Sequence, residues 1–85
     1  MTTKTEFLKQ YEGLIQKELS ETLECINLQL SKDGGYLGEL KFEQNVPYGV
    51  ALHVMETIRS GLEMDGWTYS HNNKVLSNIF EVMVY

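Results

Sequence analysis

The chain has 85 residues and a formal net charge of −5, with 12 Asp and Glu against 7 Lys and Arg. That balance opposes contact with phosphate backbones and anionic membranes, so neither nucleic acid nor a lipid surface is expected as a direct ligand. A chain of this length is expected to form one domain, residues 1–85, burying roughly 60–65% of its unfolded surface, and its 42% apolar content argues for an ordered fold over a disordered tail.

Thr3 and Glu6 have the spacing of a capping box, which predicts a helix start. Phe7, Leu8, Tyr11, Leu14, Ile15 and Leu19 then fall on one helical face, with an end expected near Ser20 to Thr22. From Leu23 the period changes to two. Ile26, Leu28 and Leu30 alternate with Cys25, Asn27 and Gln29, which predicts a half-buried strand. Lys32-Asp33-Gly34-Gly35 supplies residues that tolerate positive φ, so a tight hairpin is expected there, returning along Tyr36 to Glu43 with Leu40 and Phe42 inward. Asn45-Val46-Pro47 ends that strand and opens a second helix, whose buried stripe is Ala51, Val54, Met55, Ile58 and Leu62 and whose end is Asp65-Gly66. Trp67 and Tyr69 open a third strand, His71 to Lys74 reads as a turn, and Asn78 to Tyr85 reads as a last strand. The order α-β-β-α-β-β predicts an α+β fold: a four-stranded, mainly antiparallel sheet with helices packed on it.

The last strand is apolar on both sides. Phe80, Val82 and Val84 point one way, while Ile79, Met83 and Tyr85 point the other, interrupted only by Glu81. A small sheet covers one face, so the second is either roofed by the N-terminal helix or offered to a partner. With helices over Ile26, Leu28, Leu40, Phe42, Phe80 and Val82, the other face would show Cys25, Leu37, Ile79, Met83 and Tyr85 among Asn27, Glu39, Lys41 and Glu81. That arrangement would be an apolar centre with a polar rim. The terminal strand could add an edge for main-chain hydrogen bonds.

Motifs that carry chemistry are absent from the reading. Asp33 to Gly38 holds a GxxxG-like cluster, with Gly34, Gly35 and Gly38, but no helix is expected to follow and aim amides at a phosphate. His53 and Glu56 share a helical face, which is half a metal site at best, and Cys25 has no neighbouring base in sequence. Glu39, Glu43 and Glu81 with Lys41 read as solvated cross-strand charges. Glu12, Glu18, Glu21 and Glu24 do not track one helical face. No enzyme activity, metal or cofactor is expected. The single cysteine allows no internal disulfide, Met1 to Gly13 carries no signal-peptide core, and no run reaches membrane-spanning length, so a cytoplasmic location is expected.

The expected function is therefore a small acidic interaction domain, self-associating as a homodimer through the outer sheet face or terminal strand, that regulates or inhibits a protein partner with a basic surface by binding it. Leu37, Glu39, Ile79, Glu81, Met83 and Tyr85 are its candidate contact residues. Small acidic domains without catalytic motifs are common among phage and mobile-element proteins of this kind. The alternative is a small-molecule site in which Tyr48, Trp67 and Tyr69 stack on a planar ligand.

Overall fold

In the computed structural model of the chain, which describes residues 1–74 and 78–85, Thr3 caps the first helix: its hydroxyl oxygen accepts from the Glu6 amide at 3.1 Å. Helix α1 (Lys4–Gln10) breaks at Tyr11, and α2 (Glu12–Asp33) follows directly. Strand β1 (Tyr36–Lys41), helix α3 (Tyr48–Met64) and strands β2 (Tyr69–Asn73) and β3 (Ile79–Val84) complete the order α-α-β-α-β-β. The α+β class is as expected, but the described residues form three strands and three helices in place of four strands and two helices.

The strand expected over Leu23 to Leu30 is the second half of α2. Thr22, Ile26 and Leu30 recur every four residues and are buried, whereas Leu28 is 71% exposed. No proline or glycine interrupts residues 14–33, and Leu, Glu, Gln and Lys are good helix formers, so helix propagation outlasts the short run of alternation. Gly34 takes φ 70° and its amide bonds the Leu30 carbonyl at 2.9 Å. Lys32 to Gly35 therefore closes a helix by a left-handed cap and does not turn a hairpin.

Helix α3 forms where expected. Pro47 precedes it, its carbonyl accepts from the Val50 and Ala51 amides, and Gly66 at φ 92° follows its end. Its stripe of Ala51, Val54, Met55, Ile58 and Leu62 is buried, joined by Val50. Phe7 of α1 lies against Gly49, where a Cβ would meet the Phe7 ring at 3.0 Å, so α1 docks on the first turn of α3.

The sheet order is β1-β3-β2, and both flanking strands run antiparallel to β3. β1, α3 and β2 thus make a split β-α-β unit with β3 inserted between its strands. The last strand is central, so it offers no edge, contrary to expectation. His71 to Asn73, expected as a turn, belong to β2 and pair with Val82, Glu81 and Phe80; the expected turn's remaining neighbours 75–77 lie outside the described residues. Asn78 anchors the return, its amide donating to the Glu43 and Val46 carbonyls at 2.9 and 2.7 Å.

Helices α2 and α3 pack on one face of the sheet, over Phe80, Val82 and Val84 at the centre, Tyr36 on β1 and Tyr69 on β2. Phe42 meets Phe80 edge-on at 5.8 Å between centroids. The Tyr36 ring lies across Gly38 two residues on, with its hydroxyl 3.4 Å from where a Cβ would stand, and so fills the gap that glycine leaves on the inner face. Helix α1 contacts α2 and does not cross to the opposite face of the sheet.

Candidate functional site

Strand alternation and register together build the outward face. Side chains two apart on β1 and β3 point away from the helices, and antiparallel pairing sets them in rows across the sheet. The first row is Leu37, Met83 and Ser70. Next comes Glu39, Glu81 and Asn72, and the third holds Lys41 and Ile79. Tyr85 extends the first strand face by one pair beyond β3, where its amide and carbonyl both bond Thr68.

The six residues singled out from sequence as partner contacts, Leu37, Glu39, Ile79, Glu81, Met83 and Tyr85, therefore share this face. Leu37 is 77% exposed, Met83 45% and Tyr85 65%, while Ile79 is half-buried. Two adjacent exposed apolar side chains on a sheet face are the informative observation, since single exposed leucines are ordinary. The pattern differs from the expected apolar centre: Leu37, Met83 and Tyr85 lie at one end, Ile79 at the other, and the carboxylates occupy the middle. Cys25 and Asn27, expected on this face, are exposed on α2 instead.

Between the first two rows runs a groove of about 370 Å³ across the strands. Its floor is the backbone at Gly38, Val82 and His71, the last two of which turn their side chains to the inner face. Glu39 and Glu81 stand directly opposite one another, a like-charge pair that disfavours the pairing. Lys74, just past β2, reaches across the third row, with its Nζ 3.0 Å from Glu39 Oε2 and 3.8 Å from Glu81 Oε1. Hydrogen bonding to Glu39 and the charges of both carboxylates hold the Lys74 ammonium above its ordinary pKa. Sequence reasoning missed Asn72 and Lys74 because it placed a turn over His71 to Lys74, and it assigned Ser70, in the expected third strand, to no face; the alternation of Tyr69 and His71 with Ser70 and Asn72 is the signal that would have found the two strand residues.

The alternative aromatic trio is not assembled. Tyr48 opens α3 and Trp67 follows its end, so a 17-residue helix of roughly 25 Å separates them. Tyr69 is buried at 3% exposure beneath α3, with Arg59 5.7 Å above its ring, and its hydroxyl is 2.8 Å from His71 Nδ1. Burial, assisted by Glu56, pushes the Tyr69 hydroxyl well above its ordinary pKa. Trp67 lines a separate cleft with Leu19, Leu23 and Thr57, and Tyr48 another with Phe42 and Val46.

Among the described residues no three His, Cys, Asp or Glu side chains group as metal ligands, and no helix is long and apolar enough to cross a membrane. Compared with protein-family models, curated proteins and solved structures, the chain matches none.

Proposed function

We propose that the chain is a small interaction domain that acts by binding a protein partner, regulating or inhibiting it, through the open face of its sheet. The observation that carries this reading is the pairing of Leu37 with Met83 on a face that none of the described helices covers. Burying a large apolar side chain contributes roughly 1.5–3 kcal/mol, so Leu37, Met83 and Tyr85 together supply several kcal/mol toward association. That sum exceeds the lower estimates of the association cost, about 4 kcal/mol, by a margin suited to reversible binding. The polar row beside them supplies orientation more than energy.

The test uses the whole chain, immobilised and challenged with a random-peptide library. Binders that are lost on the double substitution Leu37→Lys and Met83→Lys, with the circular dichroism melt preserved, support the reading. Binders indifferent to that substitution overturn it. If the double variant unfolds, Leu37 and Met83 are core residues and the face is not a docking surface.

A further inference from the structure

The groove on the open face has two unlike banks, and their chemistry selects an occupant. Resting on the docking reading above, we infer that this occupant is a basic amphipathic helix of another protein, laid across the strands with apolar side chains on Leu37 and Met83 and an Arg or Lys between Glu39 and Glu81.

The groove runs perpendicular to the strands, with Leu37, Met83 and Ser70 on one side and Glu39, Glu81 and Asn72 on the other. An extended segment binds a sheet through the hydrogen bonds of an edge, which a face cannot offer; a helix satisfies its own backbone and needs only side-chain contacts. Three strands spaced about 4.8 Å apart give a groove that about two helical turns fill. On the apolar bank the unbranched thioether of Met83 adapts its shape to the side chain it meets.

Charge settles the other bank. Two carboxylates face each other there, and the ammonium that bridges both, Lys74, approaches from the third row outside the groove. A guanidinium entering from the groove side would meet acceptors on two strands at once, which suits its planar fork. Lys41 in the third row opposes a cation placed farther along, and this confines the basic contact to the groove and fixes the register of the helix. The net charge of −5 adds long-range attraction for such a partner.

A second copy of the chain centred on the groove fits poorly. A two-fold axis along the groove would set Leu37 and Met83 of one copy over Glu39 and Glu81 of the other, burying carboxylates against apolar surface. A two-fold axis parallel to the strands would lay the acidic row on itself. Both arrangements forfeit the complementarity that a cationic helix provides.

Peptides enriched from the random library on the intact chain provide the test, with the best binder synthesised for calorimetry at low and high salt. Arg or Lys spaced three or four from Leu, Met, Ile or Phe is expected in the enriched set. The double variant Glu39→Gln and Glu81→Gln should weaken that peptide by at least about tenfold and flatten its salt dependence. Backbone amide shifts at Leu37, Glu39, Ser70, Asn72, Glu81 and Met83 should follow the titration, a readout that needs no variant. Enriched peptides that are acidic or uncharged, or an affinity that the Gln variant leaves unchanged, would overturn the basic-helix inference; if Leu37→Lys with Met83→Lys still abolishes that binding, the docking face itself stands. Amide shifts confined elsewhere overturn both readings. A mass that doubles with concentration and returns to one chain in the Lys variant identifies a second copy as occupant and also overturns the inference.

Discussion

Glu39 and Glu81 face one another across two antiparallel strands, and the Lys74 ammonium lies within 4 Å of both. The pair of carboxylates is tolerated because a cation is held beside it. Replacing Lys74 by Met should lower the urea midpoint, and adding Glu81→Gln to that variant should recover most of the loss. Because all three side chains are about half exposed, the effect should shrink as salt is raised. Equal loss in the single and double variants would mean that like-charge repulsion is not what Lys74 relieves.

Ile26 and Leu28 separate a helix from a strand in this segment. On α2 the first is fully buried and the second mostly exposed. Ile26→Ala should cost about 2–5 kcal/mol in chemical denaturation, whereas Leu28→Lys should stay within about 0.5 kcal/mol. Equal costs would contradict the helix. The cap makes a second check: Gly34→Ala at φ 70° should cost about 1–2 kcal/mol, and Gly34→Asn less, since asparagine tolerates the left-handed region.

Gly49 lets the Phe7 ring rest on α3. A methyl group there would meet ring atoms at 3.0 and 3.2 Å, so the ring must shift. The Ala variant gains about 1 kcal/mol of helix propensity and loses part of the roughly 1.5–3 kcal/mol that a buried aromatic contributes. The expected outcome is a melt changed by little and faster hydrogen exchange confined to α1, read by mass spectrometry. Unchanged exchange in Lys4–Gln10 would mean that Phe7 does not hold α1 in place.

His71 is half-buried between the Tyr69 hydroxyl and the edge-on Phe80 ring, 5.4 Å between centroids. Burial lowers its pKa from the ordinary 6.5, with Glu56 opposing and Arg59 assisting. The unfolded chain therefore takes up a proton first. The stabilising contribution is complete above pH 6.5 and is lost as pH falls through the lowered folded value, with a slope of at most about 1.4 kcal/mol per pH unit. His71→Gln should flatten this part of the profile. Tyr69 carries the opposite sign at alkaline pH: its raised pKa keeps the folded chain protonated, so stability should fall as pH rises above 10. Parallel profiles for wild type and His71→Gln between about pH 8 and about pH 5 would contradict the burial of that ring.

Helix α3 and the two-faced last strand were legible because their signals are local and redundant: a proline before the helix, a glycine after it, and uninterrupted periodicity between. The second half of α2 was not. Ile26, Leu28 and Leu30 satisfy a period of two, while Thr22, Ile26 and Leu30 satisfy a helix equally well, and a glycine with positive φ serves both a hairpin and a helix cap. His71, Asn72 and Asn73 look like a turn by composition and are a strand because β3 pairs with them, a tertiary preference that local propensity does not contain. The six face residues could be read from alternation within β1 and β3. Their rows could not, since register depends on which strand lies in the middle.

The placement of β3 also dictates an order of events during synthesis. Among the described residues β1 and β2 pair with β3 alone, so the ribosome completes both flanking strands before either has a neighbour to bond. Helices α1, α2 and α3 can coil from local contacts as they emerge, but the sheet must wait for Ile79–Val84 and then zip on both sides at once. Until that moment Tyr36 and Leu40 of β1 depend on helix packing alone for shelter, and the nascent chain is a helical assembly awaiting its keystone.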